Sequence, residues 1–129
     1  MTYEEFKAKV SAESTVDRKD DPFFRLEKFR EEFAELQLAR GSQQIHSERE
    51  DCFYTLALYE SCLGVDVEPY LNWKGYFDIV LMGSLIITKG LDPEIFISYA
   101  KRWLISGWEP QTIELLLNSA YERFIVSNE

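Results

Sequence analysis

One stretch decides the fold class: residues 21–41, DPFFRLEKFREEFAELQLARG. Asp21 followed by Pro22 is typical of a helix start, because aspartate caps free amides and proline tolerates the first helical position. Apolar residues then recur at intervals of three and four, which places them on one face of a helix. They are Leu26, Phe29, Phe33 and Leu36. Gly41 predicts the end of this helix, with Arg40 placed favourably near its carboxyl terminus.

Similar start signals recur on both sides of this stretch. Thr2 with Glu5, and Ser47 with Glu50, have the spacing of a capping box, which predicts two further helix starts. An acidic residue followed by proline predicts two more starts, one at 92–93 and one at 109–110.

The segments between these signals are predicted connections. The polar segment 11–20 reads as a loop and residues 42–45 as a short connection, while Gly64 and Gly90 predict helix ends. The chain of 129 residues is therefore expected to form one compact all-α domain, residues 1–129, with five to seven helices.

Apolar periodicity also predicts the core. Residues 70–88 are apolar on most sides, which is typical of a central, buried helix. The predicted core residues are Phe29, Phe33, Leu56, Tyr59, Val80, Ile86, Trp103, Leu116, Leu117 and Phe124.

The charge of the chain limits its partners. The formal net charge is −9, and 15 of the 23 acidic residues fall within residues 1–66. No run of three basic residues exists, so the sequence lacks the cationic footprint that binding to nucleic acid requires. The same charge attracts a basic protein, which is the partner that the sequence predicts.

The cysteines and the apolar runs predict the compartment. Cys52 and Cys62 lie ten residues apart, which separates them by about 15 Å on one helix and is too far for a disulfide. Both are expected to be buried thiols in a reducing environment. No apolar run reaches the roughly 20 residues that a membrane span needs. We therefore expect a cytoplasmic protein without a membrane segment.

Two groups of side chains are the candidate partner-binding residues. The acidic candidates are Glu27, Glu31, Glu35, Glu48, Glu50 and Asp51, and the aromatic candidates are Trp73 and Tyr76. Like charges four residues apart, as in Glu27, Glu31 and Glu35, mildly destabilise a helix, so their retention favours a binding role. Metal sites in helical bundles pair Glu with a His three residues on, and this sequence has no such pair. It therefore predicts no metal, no cofactor and no catalytic residue.

One pair of residues supports an enzymatic alternative. Arg40 and His46 are separated by five residues, which resembles the R-x(4–6)-H pattern of small all-helical HEPN-type ribonucleases. In that family the pair acts on the scissile phosphate, so the resemblance implies a ribonuclease or a ligand-binding domain that uses Arg40 and His46. The chain departs from the family pattern at Gly41, because the family motif belongs to a continuous helix.

The favoured functional hypothesis is an inhibitor that works by direct binding. In size, acidity and helical architecture the chain resembles bacterial immunity proteins, which neutralise basic nuclease toxins. That resemblance implies fast electrostatic association followed by a packed interface. An adaptor or regulatory subunit is the remaining alternative.

Overall fold

The computed structural model describes residues 1–69, 92–105 and 108–127. Within these ranges the chain forms helices and no strand, which confirms the predicted all-α class. The helices are α1 (Tyr3–Glu13), α2 (Pro22–Leu38), α3 (Ser42–Leu63), α4 (Pro93–Ile105) and α5 (Pro110–Tyr121), and α5 continues into a π-helical turn, Glu122–Val126. None of the helices in these ranges is both long and apolar enough to cross a bilayer. The predictions for Trp73, Tyr76, Val80 and Ile86 lie outside the described residues.

The chain divides into two compact units. The first comprises Met1–Val65 and Trp108–Glu129, and the second comprises Asp66–Gly107. The first unit therefore holds α1, α2, α3, α5 and the π-helical turn, whereas the second holds α4. Whether the whole chain behaves as a single domain stays a prediction.

Side-chain caps form at three of the predicted helix starts, one of which is Asp92, whose carboxylate accepts a hydrogen bond of 2.9 Å from the amide of Glu94 in α4. Thr2 and Glu5 form a complete capping box at the start of α1. Asp21 caps α2, where its carboxylate accepts a hydrogen bond of 3.1 Å from the amide of Phe24. Helix α1 runs on to Glu13, so the first three residues of the predicted loop 11–20 are helical.

The connection between α2 and α3 is shorter than the sequence predicts. Helix α2 ends at Leu38, and Gly41 is the residue that precedes α3 rather than the end of α2. Its φ of +83° lies in a region that glycine adopts without steric cost. Residues 42–45, predicted as a connection, form the first turn of α3, and Ser47 lies inside the helix instead of capping it. The predicted capping box at Ser47 and Glu50 is therefore wrong.

Helix α3 lies at the centre of the first unit and packs against α1, α2 and α5. Helix α3 ends at Leu63, and Gly64 follows it in the left-handed conformation, as the sequence predicts. Of the predicted core residues, six are buried in this unit: Phe29, Phe33, Leu56, Tyr59, Leu116 and Leu117.

The π-helical turn changes which residue of the last helix is buried. Regular α-helical spacing from Ala120 predicts Phe124 in the core. The amide of Ser127 instead donates to the carbonyl of Glu122 at 2.9 Å, five residues back, which widens the turn. Ile125 is the buried residue, whereas Phe124 is half-buried and stacks on Tyr54 with ring centroids 4.3 Å apart.

In the second unit, α4 buries one face. Phe96, Ile97, Ala100 and Leu104 are buried, whereas the predicted core residue Trp103 is half-buried. Lys101 is buried as well, and its ammonium lies 3.1 Å from the Asp66 carboxylate. The ion pair supplies the charge partner that a buried lysine needs.

Candidate metal centre

Four carboxylates from α2 and α3 converge on one point. Glu32 and Glu35 come from α2, and Glu48 and Asp51 come from α3. Each offers one oxygen, and the four oxygens all lie within 4.8 Å of one another. We call these four residues the carboxylate cluster.

Helical geometry explains why both helices contribute a pair. Glu32 and Glu35, like Glu48 and Asp51, are three residues apart, so each pair lies on one face of its helix. Each of Glu32, Glu35 and Asp51 directly precedes a buried residue of its helix. The cluster therefore lies beside the apolar contact between α2 and α3, on its solvent side.

Burial and mutual repulsion raise the pKa values in the cluster. Partial burial, the charges of Asp51 and Glu35, and a side-chain contact with Glu35 raise the pKa of Glu32 to about 8. Burial and the charges of Asp51 and Glu35 also raise the pKa of Glu48. Burial raises the pKa of Asp51 too, although the nearby guanidinium of Arg123 opposes that rise. Near neutral pH the cluster therefore retains a proton that a bound cation would displace.

The cluster has few internal partners to neutralise it. Glu32 Oε2 and Glu48 Oε2 are shielded from solvent, and no amide, hydroxyl or cationic donor among the described residues contacts either atom. Glu35 is exposed, which leaves the cluster open to solvent on one side. Buried carboxylate oxygens are costly unless something neutralises them, and either a proton shared within the cluster or a bound cation does so.

The donor atoms select the kind of cation. Cys52 follows Asp51, but burial raises the pKa of its thiol well above the ordinary range, so it is not a thiolate ligand. The ligand set is therefore carboxylate oxygen alone, which suits hard cations such as Mg²⁺, Mn²⁺ and Ca²⁺. The four oxygens could hold one such ion and leave coordination positions for water or for another ligand.

The structure brings together only part of the predicted acidic site. Glu35, Glu48 and Asp51 meet in the cluster, together with Glu32, which the sequence did not single out as a candidate. Glu27 and Glu31 are exposed elsewhere on α2 and lie near basic side chains of the same helix.

Glu50 departs from the expectation of an exposed acidic group. It is only 4% exposed, and Arg123 Nη1 lies 3.3 Å from its Oε1 atom. His46 Nε2 lies 3.6 Å from its other oxygen. Glu50 is therefore part of an internal ionic contact and not of the acidic surface.

The Arg40 and His46 pair straddles a helix boundary. Arg40 precedes α3, and its amide donates to the side chain of Gln44 at 2.8 Å. His46 lies in the second turn of α3, on the other side of Gly41. The continuous helix on which the ribonuclease pattern depends is thus interrupted here.

A usable signal for the cluster was present in the sequence. Two adjacent helices each carry two carboxylates at a spacing of three residues, Glu32 with Glu35 and Glu48 with Asp51. These pairs are a carboxylate-only version of the spacing at which bundle metal sites pair Glu with His three residues on. Pairing α2 with α3 as a hairpin would have placed the four acids together.

Comparisons with protein-family models, with curated protein sequences and with solved structures found no match to this chain.

Proposed function

We propose that the protein is a divalent-cation-dependent hydrolase of a small phosphorylated substrate, with Glu32, Glu35, Glu48 and Asp51 as the metal ligands. The observation that supports this proposal is the convergence of four carboxylate oxygens within 4.8 Å. It departs from the expectation of a protein without metal or catalysis, because that expectation rested on the absence of a Glu paired with a His three residues on.

The geometry favours Mg²⁺ or Mn²⁺ over Ca²⁺. Calcium takes six to eight oxygen ligands and often uses backbone carbonyls from flexible loops. Here all four ligands are side chains on two helices, whose interior carbonyls already accept helical hydrogen bonds. Six-coordinate Mg²⁺ is usually bound through one or two carboxylates, with water and substrate phosphate completing its shell, and Mn²⁺ accepts the same octahedral oxygen ligands.

The open coordination positions favour catalysis over storage. A divalent cation held by the cluster would neutralise phosphate charge and lower the pKa of a coordinated water. It would also reduce the local negative charge of an acidic protein, which otherwise repels anions. Since the sequence lacks a basic footprint for a polymer, the substrate that fits is a small phosphorylated molecule.

The first experiment measures cation binding. Calorimetric titration with MnCl₂ and MgCl₂ should show binding by the wild-type protein. Glu32→Gln and Glu48→Gln should each weaken it by at least about tenfold, because each replaces a charged ligand with a neutral amide, and changes even to outer-shell partners cost that much. Glu31→Gln is the matched control, since it makes the same change at an exposed position of α2 outside the cluster. Failure of the wild-type protein to bind either ion would refute the proposal.

The second experiment measures hydrolysis. Release of phosphate and pyrophosphate from a panel of nucleoside triphosphates and sugar phosphates should require Mg²⁺ or Mn²⁺. The two cluster variants should lose the activity while Glu31→Gln keeps it. Cation binding without hydrolysis of any member of the panel would restrict the protein to cation binding.

A direct-binding inhibitor of a basic protein is the second candidate. The observation that favours it is that Glu27, Glu31 and Glu35 are all exposed and lie four residues apart along one face of α2. Such an acidic surface suits a basic toxin, as in an immunity-type protein of the bacterial cytoplasm. It also suits the basic partner of an adaptor.

A further inference from the structure

The π-helical turn brings one cation to the edge of the carboxylate cluster. Arg123 is the second residue of this turn, Glu122–Val126. Its Nη2 atom lies 3.1 Å from Asp51 Oδ1, so it contacts a cluster carboxylate directly. π-helical turns occur often at functional sites.

The other contacts of Arg123 fix the guanidinium against α3. Nη1 donates to the carbonyl of Ser47 at 3.3 Å and to its hydroxyl at 3.2 Å. The same atom lies 3.3 Å from Glu50 Oε1. The guanidinium carbon lies 4.6 Å from the ring centroid of Phe124, and that ring stacks on Tyr54. Polar contacts on α3 and an aromatic ring thus orient the guanidinium, although the Arg123 side chain is 43% exposed.

We infer that Arg123 is a positioning residue for the metal centre, which orients the Asp51 carboxylate toward Glu32, Glu35 and Glu48. This inference rests on the proposed function. The planar guanidinium can contact Glu50 with one nitrogen and Asp51 with the other, and a lysine cannot reproduce this fork. Hydrogen-bonded partners of metal-ligating carboxylates hold the ligands in the geometry that the ion needs.

Calorimetric titration with MnCl₂ tests this role. Arg123→Gln should weaken Mn²⁺ binding by about tenfold, because Asp51 loses its anchor. Arg123→Lys should recover part of that loss, since it keeps the charge without the fork. If Arg123→Gln does not fold, Arg123→Lys decides, because a few-fold weakening relative to the wild-type protein is still expected.

Two control variants separate positioning from other effects. Arg18→Gln makes the same charge change at an exposed arginine that also lies over a phenylalanine ring, 4.8 Å from Phe24, and should leave binding unchanged. Glu50→Gln keeps an oxygen acceptor for Arg123 at a residue outside the cluster and should change Mn²⁺ affinity less than about twofold.

The outcomes separate this inference from the proposed function. Absence of Mn²⁺ binding by the wild-type protein refutes both. If the wild-type protein binds Mn²⁺ and Arg123→Gln binds equally well or more tightly, only the role of Arg123 is refuted. Equal losses of Mn²⁺ affinity in Arg123→Gln and Glu50→Gln also refute it, because they would show that the loss does not depend on the contact between Arg123 and Asp51.

Discussion

At the scale of single residues, Glu32 lies among like charges and is partly shielded from solvent. It is half-buried between Asp51 and Glu35, and its pKa rises from an ordinary value of 4.5 to about 8. A carboxylic acid with this pKa is largely protonated at neutral pH when no cation is bound. The folded chain therefore binds a proton that the unfolded chain has released.

The sign of the pH dependence follows from that raised pKa. Without divalent cations, the contribution of Glu32 to folding stability is present below pH 4.5 and is lost as the pH rises through about 8. Urea unfolding in EDTA should therefore show a lower free energy of unfolding at pH 8.5 than at pH 6. Glu32→Gln should flatten this fall, and Glu31→Gln should retain it. An identical pH profile for the wild-type protein and Glu32→Gln would contradict the prediction.

At the scale of elements, the last helix shows how one turn decides a buried face. Helix α5 buries Leu116 and Leu117 as its apolar spacing predicts, and the π-helical turn then moves the buried position from Phe124 to Ile125. The wider turn also determines the direction in which the Arg123 side chain leaves the helix. Packing against α3 therefore shapes both the core and the surroundings of Asp51.

Adjacent leucines on α5 provide a direct test of its orientation. Leu116 is 2% exposed and Leu115 is 68% exposed. Leu116→Ala should lower the free energy of unfolding by about 2–5 kcal/mol, because it leaves a cavity in the core. Leu115→Ala, the control, should cost less than about 0.5 kcal/mol. Urea unfolding measures both, and equal costs would show that the buried face of α5 is wrongly assigned.

At the scale of the whole molecule, the net charge of −9 governs long-range interactions. A basic protein is attracted to such a chain, and this attraction acts mainly on the association rate. The carboxylate cluster includes Glu35, so the exposed acidic face of α2 and the candidate metal centre overlap at one residue. Glu27 and Glu31 lie outside the cluster and isolate the effect of surface charge.

Charge reversal tests the inhibitor candidate. If the product of an adjacent gene is basic and binds this chain, Glu27→Lys with Glu31→Lys should slow association about tenfold at low salt, and less at 1 M salt. Stopped-flow kinetics measures the rate. Reversal of Glu4 and Glu109, which are exposed on other elements, is the control with the same charge change. If neither salt nor the Glu27 and Glu31 reversals change the association rate, electrostatic recognition by this face of α2 is excluded.

Local signals in the sequence determined the helix class and most helix ends. Thr2 and Asp21 cap their helices, and Gly64 ends α3 in the left-handed conformation, because each of these contacts involves residues only a few positions apart. The apolar faces of α2 and α5 followed from spacing for the same reason. The start of α3 was missed, because its first turn carries polar residues and Gly41 makes no side-chain cap.

Only the tertiary structure decided which side chains act together. The carboxylate cluster joins pairs from two helices, and its distances depend on how α2 and α3 pack and not on any spacing within one helix. Arg123 contacts Asp51 although the two residues are 72 positions apart in the sequence. The contact depends on the π-helical turn, and no local sequence pattern indicates that this turn is wider than an α-helical one. Long-range contacts of this kind arise when apolar faces pack together, so the sequence determined the helices and the packing determined the site.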